Sequence, residues 1–290
     1  MAARILDGNV VAAAIKERLR AEVATLGAGG VKVGLGTILV GDDSSSARYV
    51  AMKHKDCAEV AIASYHRQLS ADTKMSELLS VIEEFNQSPE VDSILLQLPL
   101  PSHLSQLQAL MAISAAKDVD GLHPINLGKL VMSEPGPLPC TPAGIIELAT
   151  FHGISFEHRH VVVVGRGLTI GRPLALLLAA KREHCNATVT VAHTGSSDLG
   201  EIVRLGDIVI SAVGRSDLIT PEMVKPGAVV IGAGTPFRDG KLGSDLHPGV
   251  AEVASAVTPT IGGVGPMTRA MLLVNAVKAA TLRSEASNAS

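Results

Sequence analysis

The 290-residue sequence has no Trp, two Tyr and four Phe, so its cores must be aliphatic and an aromatic in a polar neighbourhood stands out. Cysteine is equally scarce. Cys57, Cys140 and Cys185 form no CxxC pair, which argues against a disulfide framework and a zinc site and fits a reducing, cytoplasmic compartment. No metal is expected. Basic residues are not in excess: the net charge is −3, whereas nucleic-acid binding calls for a basic face. Long apolar runs are missing too. The stretch from Leu174 to Ala180 falls far short of the roughly 20 residues of a membrane span, so no membrane association is expected. The N-terminal MAARILDGNV lacks a basic region followed by an apolar core, so no signal peptide is read. What is present is 47% hydrophobic residues in a chain long enough for two cored domains.

Strand-like and helix-like periods alternate, which is the pattern of parallel sheets with crossover helices. A helix reads from Asn9 to Leu26 and stops at Gly27, Gly29 and Gly30. Strand GLGTILVG (Gly34 to Gly41) follows, then a helix opened by Ser44, Ser45 and Ser46 and running to about Val60. Ser64 to Leu69 reads as a strand, Met75 to Asn86 as a helix, and Asp92 to Pro101 as a strand stopped by prolines. The weakly periodic Asp118 to Pro142 segment, rich in Gly and Pro, is the expected lobe boundary. Beyond it come helix Ala143 to His152, strand His160 to Gly165 and helix Gly171 to Lys181. Strands Thr188 to Ala192, Asp207 to Val213 and Ala228 to Gly232 follow. TIGGVGPM (Thr260 to Met267) leads into a closing helix at about 267–283, with a small polar tail from Ser284 expected to fray. The fold class is α/β, with domains expected at 1–140 and 141–290.

HVVVVGRGLTIGRP is a buried strand, a glycine turn and a helix. Its spacing, Gly165, Gly167 and Gly171, is GxGxxxG rather than the usual GxGxxG. Glycines admit a pyrophosphate close to the backbone, and the helix N-terminus offers it free N–H groups. NAD sites usually close the next strand with a carboxylate for the ribose 2′-hydroxyl. Here TVTVA ends in His193, Thr194 and Gly195, and Arg166 follows the first glycine. A guanidinium with hydroxyl donors and no anion suits a 2′-phosphate, so NADP is expected over NAD.

In the first lobe, Tyr49 and Lys53 stand four residues apart, on one face of a helix. QLPLP puts Gln97, flanked by Leu96 and Leu98, at the carboxyl end of a buried strand, where ligands gather in open α/β sheets. KDVDG places Asp118 and Asp120 in the Gly/Pro-rich segment. Taken singly, each has a plain alternative: a surface Lys packed on a Tyr, a Gln satisfying loop backbone, Asp residues capping turns. The histidines, His66, His158 and His160 among them, read as structural and lack metal-ligand spacing. His123 is read as structural before it is read as a ligand contact.

Together, YVxxK (Tyr49 to Lys53), QLPLP, KDVDGLHPIN, PCTPAG (Pro139 to Gly144), VVVVGRGLTIGRP and GGVGPMT (Gly262 to Thr268) appear in this order. The set resembles the bifunctional methylenetetrahydrofolate dehydrogenase/methenyltetrahydrofolate cyclohydrolase (FolD) family over about residues 5–280. The resemblance implies an N-terminal α/β substrate lobe and a Rossmann-like NADP-binding lobe, with the last helix returning to the first lobe and folate in the cleft. It implies a cytoplasmic homodimer joined through the cofactor lobe. The implied activity is NADP-dependent oxidation of 5,10-methylenetetrahydrofolate and hydrolysis of the product to 10-formyltetrahydrofolate, in the one-carbon metabolism that feeds purine biosynthesis.

By that resemblance Tyr49 stacks on the folate ring and Asp120 holds the pterin edge. Leu96, Gln97, Leu98, Gly262, Gly263, Val264, Gly265 and Pro266 line the folate pocket. Gly165, Arg166, Gly167, Gly171, Thr194 and Thr235 bind the nucleotide. Lys53 is the expected proton-transfer group. A free lysine, with a pKa of about 10.4, is a poor base at neutral pH, but desolvation and a cationic substrate both lower that value. Gln97 can hydrogen-bond it without adding a counter-charge.

Four positions depart from the family pattern: Gly167 where Ser is common, Gly232 where Asp is usual, Ala61 for a glycine and Ile261 for a proline. They bear on cofactor affinity and rate rather than on reaction class. The alternatives are a dehydrogenase lacking the hydrolytic half or the reverse, a generic NADP-linked dehydrogenase, which leaves QLPLP and KDVDG without a role, and a non-catalytic dinucleotide-binding module.

Overall fold

A computed structural model describes residues 3–238 and 241–288. The chain divides into two compact units. One comprises residues up to Ala13, Leu130–Glu134 and Thr141–Thr268, and the other Ala14–Lys129, Pro135–Cys140 and the chain from Arg269 onward.

The second of these carries a three-stranded sheet. Its central strand, Gly34–Val40, is buried at all seven positions and is flanked in parallel by Ala63–Leu69 and Ser93–Leu96. A run without polar alternation is what a parallel strand covered on both faces requires. The Met75–Gln87 helix turns Leu78, Ile82 and Phe85 inward at helical spacing, onto Ile38, Ile94 and Leu96. The Ser44–Glu59 helix is capped by Asp43, whose carboxylate accepts the Ser46 N–H. The expected cap serines therefore lie inside the first turn. Arg283, on the last helix, pairs with the buried Asp92 carboxylate, whose other oxygen accepts the Gly34 N–H.

The other unit holds a six-stranded sheet in which every pairing is parallel. Its order is Arg4–Ile5, Ala256–Val257, Val229–Gly232, Ile208–Ser211, His160–Val164, Thr188–Ala192. His160–Val164 has its sequence successors on opposite sides, so the strand order reverses there. The crevice beyond the carboxyl ends at such a reversal is where ligands bind in open α/β sheets. Val162, Val164, Val209 and Val230 are buried in its aliphatic core.

Several expected boundaries move. The strand expected to reach Pro101 ends at Leu96, and the Leu98–Pro99 peptide is cis. The Asp118 to Pro142 segment is less irregular than expected: it contains the Pro124–Met132 helix and, from Cys140, the start of the Cys140–Phe151 helix. The closing helix spans Val264–Asn288 rather than 267–283. Val264, Gly265 and Pro266 form its first turn, where the missing proline N–H costs nothing. The tail from Ser284 is helical through Asn288, extending the helix hydrogen bonds, and the last two residues lie outside the described ones. The Gln106–Ala112 and Leu199–Arg204 helices, the two-residue strands Arg4–Ile5 and Ala256–Val257 and the antiparallel pair Phe237–Arg238 with Lys241–Leu242 had no counterpart in the sequence reading.

Candidate active site

Within the three-stranded unit, Lys53 lies on the inward face of the Ser44–Glu59 helix and is 4% exposed. Its Nζ donates to Gln97 Oε1 at 3.1 Å and sits 4.9 Å from the centroid of the Tyr49 ring, one helical turn earlier. That places the ammonium on the negative face of the ring. Gln97 occupies the first position past the Ser93–Leu96 strand, and its Nε2 donates to the Leu98 carbonyl at 2.7 Å, fixing the amide so that the oxygen faces Lys53. Burial pushes the Lys53 pKa down; Asp120 and the Cys140 thiol oppose the shift, and Arg269 adds to it. Burial pushes the Asp120 carboxyl up, Lys53 pulls it down, and Asp118 pushes it further up. The two groups therefore oppose each other's shifts, as a lysine and a carboxylate held in one poorly solvated place must.

Arg269 does not contribute its charge unpaired. Its Nε donates to Asp56 at 2.6 Å, and Asp56 also pairs with Lys16. The buried Asp56 thus carries the counter-charge of both cations.

Two residues that sequence reasoning did not single out support Asp120. Cys140 Sγ donates to the Val119 carbonyl at 3.2 Å, and burial raises its thiol well above the usual range. Asn275 Nδ2 donates to the Val119 carbonyl at 2.8 Å and the Leu138 carbonyl at 2.9 Å. PCTPAG was noted as a motif, but nothing local tells that its cysteine meets an asparagine far along the chain. Asp118 behaves as a turn residue: its Oδ2 accepts from the His123 N–H and from Asn126. His123 is 7% exposed and accepts the Ile125 N–H at the start of the Pro124–Met132 helix, which is a structural role.

Within the six-stranded unit, Gly165 and Gly171 bracket the turn after His160–Val164. Gly165 has φ +115°, and a Cβ there would come within 2.6 Å of the Ala212 carbonyl oxygen. A Cβ on Gly171, the first residue of the Gly171–Ala179 helix, would lie 2.2 Å from the Gly165 oxygen. The turn therefore folds back on itself in a way only glycines permit, and Arg172 N–H, in the first turn of the helix, donates to the Gly167 carbonyl at 3.1 Å. Gly167 meets nothing within 4 Å, so its lack of a side chain is not a packing requirement.

Arg166 is exposed, with Nη1 3.3 Å from His193 Nε2, and Gly195 N–H donates to His193 Nδ1 at 3.0 Å. Thr194, also exposed, lies beside this pair, and exposed Thr235 follows the Val229–Gly232 strand. A glycine cradle that a Cβ would fill, a helix N-terminus and a guanidinium–imidazole pair suit a phosphorylated dinucleotide. Gly262 (φ +85°) and Gly263 pack on the start of the first helix: Gly8 N–H donates to the Gly262 carbonyl at 2.7 Å, and a Cβ on Gly8 would stand 1.9 Å from the Gly263 oxygen.

Residues 6–120 match the tetrahydrofolate dehydrogenase/cyclohydrolase catalytic domain, and residues 139–284 match the NAD(P)-binding domain of the same family. The bifunctional protein FolD of Syntrophotalea carbinolica is 49% identical over 284 residues, 98% of each chain. The crystal structure of the bifunctional FolD methylenetetrahydrofolate dehydrogenase/cyclohydrolase from Campylobacter jejuni superposes with a TM-score of 0.93 at 40% identity, covering 97% of this chain and 100% of that one. The Trypanosoma brucei enzyme, solved with NADP cofactor and inhibitor, gives 0.91 at 35% identity over 98% and 99% of the two chains.

Proposed function

The chain belongs to the tetrahydrofolate dehydrogenase/cyclohydrolase family, and from that premise we propose that Lys53, tuned by Gln97, moves the protons of its hydrolytic step. The protein is a bifunctional enzyme. It oxidises 5,10-methylenetetrahydrofolate to the 5,10-methenyl form with NADP, then hydrolyses that product to 10-formyltetrahydrofolate.

NADP⁺, when bound, supplies the hydride acceptor. The chain's part in that step is positioning: Gly165, Gly171 and the following helix N-terminus seat the pyrophosphate, while Arg166 and Thr194 hold the 2′-phosphate, with Gly167 and Thr235 at the rim. Tyr49 offers a flat aromatic face to the pterin, Asp120 accepts from its amino edge, and Leu96 and Leu98 flank Gln97 against it.

Oxidation leaves a methenyl cation shared by N5 and N10. Water adds to that carbon and must lose a proton; Lys53 in its neutral form takes it. The adduct then opens by breaking the C–N5 bond: Lys53 returns the proton to N5, the hydroxyl proton leaves to solvent as the formyl C=O forms, and the hydrolysis releases one proton overall. Burial lets the amine be neutral often enough to act, and the amide oxygen of Gln97 orients it without fixing the proton. The observation that carries this reading is the Lys53 Nζ, 4% exposed, held at 3.1 Å by a neutral amide and lying over an aromatic ring.

Lys53→Met tests it: methenyltetrahydrofolate hydrolysis is expected to disappear while circular dichroism and NADP⁺ binding persist. Hydrolysis within a few-fold of wild type would remove Lys53 from the mechanism.

The reading includes a cytoplasmic location, favoured by three free, buried thiols. It also includes a homodimer. Among the described residues the Thr188–Ala192 strand ends the six-stranded sheet with one edge unpaired and Val191 exposed, an arrangement suited to covering by a second copy. Light scattering on the purified protein checks the second point.

A further inference from the structure

The six-stranded unit buries a carboxylate that neither the sequence reading nor the reaction uses. Asp245 is 0% exposed. Among the described residues no cation pairs with it. Its charge is met by hydrogen-bond donors: Ser211 Oγ at 2.9 Å and Val213 N–H at 3.0 Å reach one oxygen, and Arg215 N–H at 2.8 Å reaches the other. A charge taken out of water is tolerated only where such donors replace its hydration.

The three donors come from one short stretch, the end of the Ile208–Ser211 strand and the loop leaving it. The same region is bound from a second side, where Ala233 and Gly234 N–H groups both donate to the Ser211 carbonyl. It is bound from a third by Asp217 N–H to the Ser244 carbonyl and Ile219 N–H to the Asp245 carbonyl. Room for the carboxylate exists because residue 234 is glycine: a Cβ there would come within 2.1 Å of an Asp245 oxygen. Gly232, where the family usually has Asp, brings no carboxylate of its own, so Asp245 is the buried anion of this loop cluster.

The loop so held is the wall on which the dinucleotide turn rests. Gly165 approaches the Ala212 carbonyl closely enough that a methyl group would stand 2.6 Å from it, at the reversal of strand order. We propose that Asp245 is a positioning residue for the cofactor, fixing the 211–215 loop against which Gly165 and the pyrophosphate turn are set. The inference rests on NADP being the dinucleotide and is independent of the role given to Lys53.

An amide cannot replace this carboxylate. In Asp245→Asn one of the three donors faces an NH₂ group, and the loop must shift to relieve it. The test measures NADP⁺ affinity by calorimetry on the purified protein and, separately, hydrolysis of supplied methenyltetrahydrofolate. For Asp245→Asn the NADP⁺ Kd is expected to rise at least tenfold while the hydrolytic kcat stays within about twofold. Gly234→Ala, which drives a methyl into the carboxylate, should give the same split. Ser211→Ala keeps the charge and removes one donor; it should raise the Kd about threefold, and it decides the matter if Asp245→Asn does not fold. An unchanged Kd in folded Asp245→Asn, or equal loss of binding and hydrolysis in all three variants, overturns the proposal. Absence of hydrolysis in the wild-type protein would count against the proposed function and leave the Asp245 result readable through binding alone.

Discussion

Replacing Gln97 by Glu keeps the oxygen that accepts from Lys53, exchanges Nε2 for a second oxygen and introduces a full charge. Two unit charges about 4 Å apart attract by about 4 kcal/mol at an effective dielectric of about 20. Gln97 is partly exposed, whereas Lys53 is 4% exposed, so solvent screening on the glutamate side reduces this to about 2 kcal/mol. The attraction favours the ammonium, so the Lys53 pKa rises. At neutral pH the neutral amine becomes about 30-fold rarer, since each 1.4 kcal/mol is a factor of ten. The assay is the pH dependence of methenyltetrahydrofolate hydrolysis. In the wild type the rate should climb with pH as Lys53 loses its proton, at a midpoint below the ordinary lysine value of about 10.4 because burial lowers it. In Gln97→Glu the limb should move up by about 1.5 pH units, with hydrolysis at neutral pH about 30-fold lower. Oxidation, which needs no proton from Lys53, should fall far less. The glutamate also turns an oxygen toward the Leu98 carbonyl that Gln97 Nε2 now reaches at 2.7 Å, a loss of about 1 kcal/mol in stability to be followed by denaturation. Hydrolysis within twofold of wild type on an unshifted profile would refute the tuning role of Gln97.

Lys53→Met should also be more stable than the wild type at neutral pH. Because the folded-state pKa is lowered, the cost of burying the ammonium is present below that pKa and fades as pH rises through the unfolded value of about 10.4, so the stability gap should close in alkaline denaturation series. Gly171→Ala places a methyl 2.2 Å from the Gly165 oxygen and should weaken NADP⁺ at least tenfold in a binding titration, the helix N-terminus being pushed off the turn. Ala61, where the family has glycine, sits at φ +59°, so Ala61→Gly should gain about 0.5 kcal/mol in chemical denaturation; a loss would show that the left-handed conformation carries no strain there.

The long elements could be read because their signals are local. Seven consecutive buried residues at Gly34–Val40 and the valines before Gly165 announce parallel strands, and the inward face of Met75–Gln87 has helical spacing. The two-residue strands Arg4–Ile5 and Ala256–Val257 could not be read, because two residues have no period and their pairing joins distant parts of the chain. The Pro124–Met132 helix was hidden because glycine and proline at its flanks outweighed nine helical residues. The same division holds for the site. Tyr49 and Lys53 are neighbours on one helix, and their relation follows from spacing alone, whereas the hydrogen bond from Lys53 to Gln97 spans 44 residues and was suggested by motif. Asn275 and Asp245 had no signal at all. Each is one polar residue whose partners, Val119 and Leu138 for one and Ser211, Val213 and Arg215 for the other, are brought to it only by the folded chain.

The most direct test of proton transfer through Lys53 is one cuvette containing NADP⁺ and 5,10-methylenetetrahydrofolate, with absorbance followed for NADPH and for the methenyl product. Wild-type protein should show NADPH appearing while methenyl absorbance rises and then decays faster than it does without enzyme. Lys53→Met should form NADPH and leave the methenyl product decaying only at the uncatalysed rate. Decay at the wild-type rate in that variant would contradict the assignment.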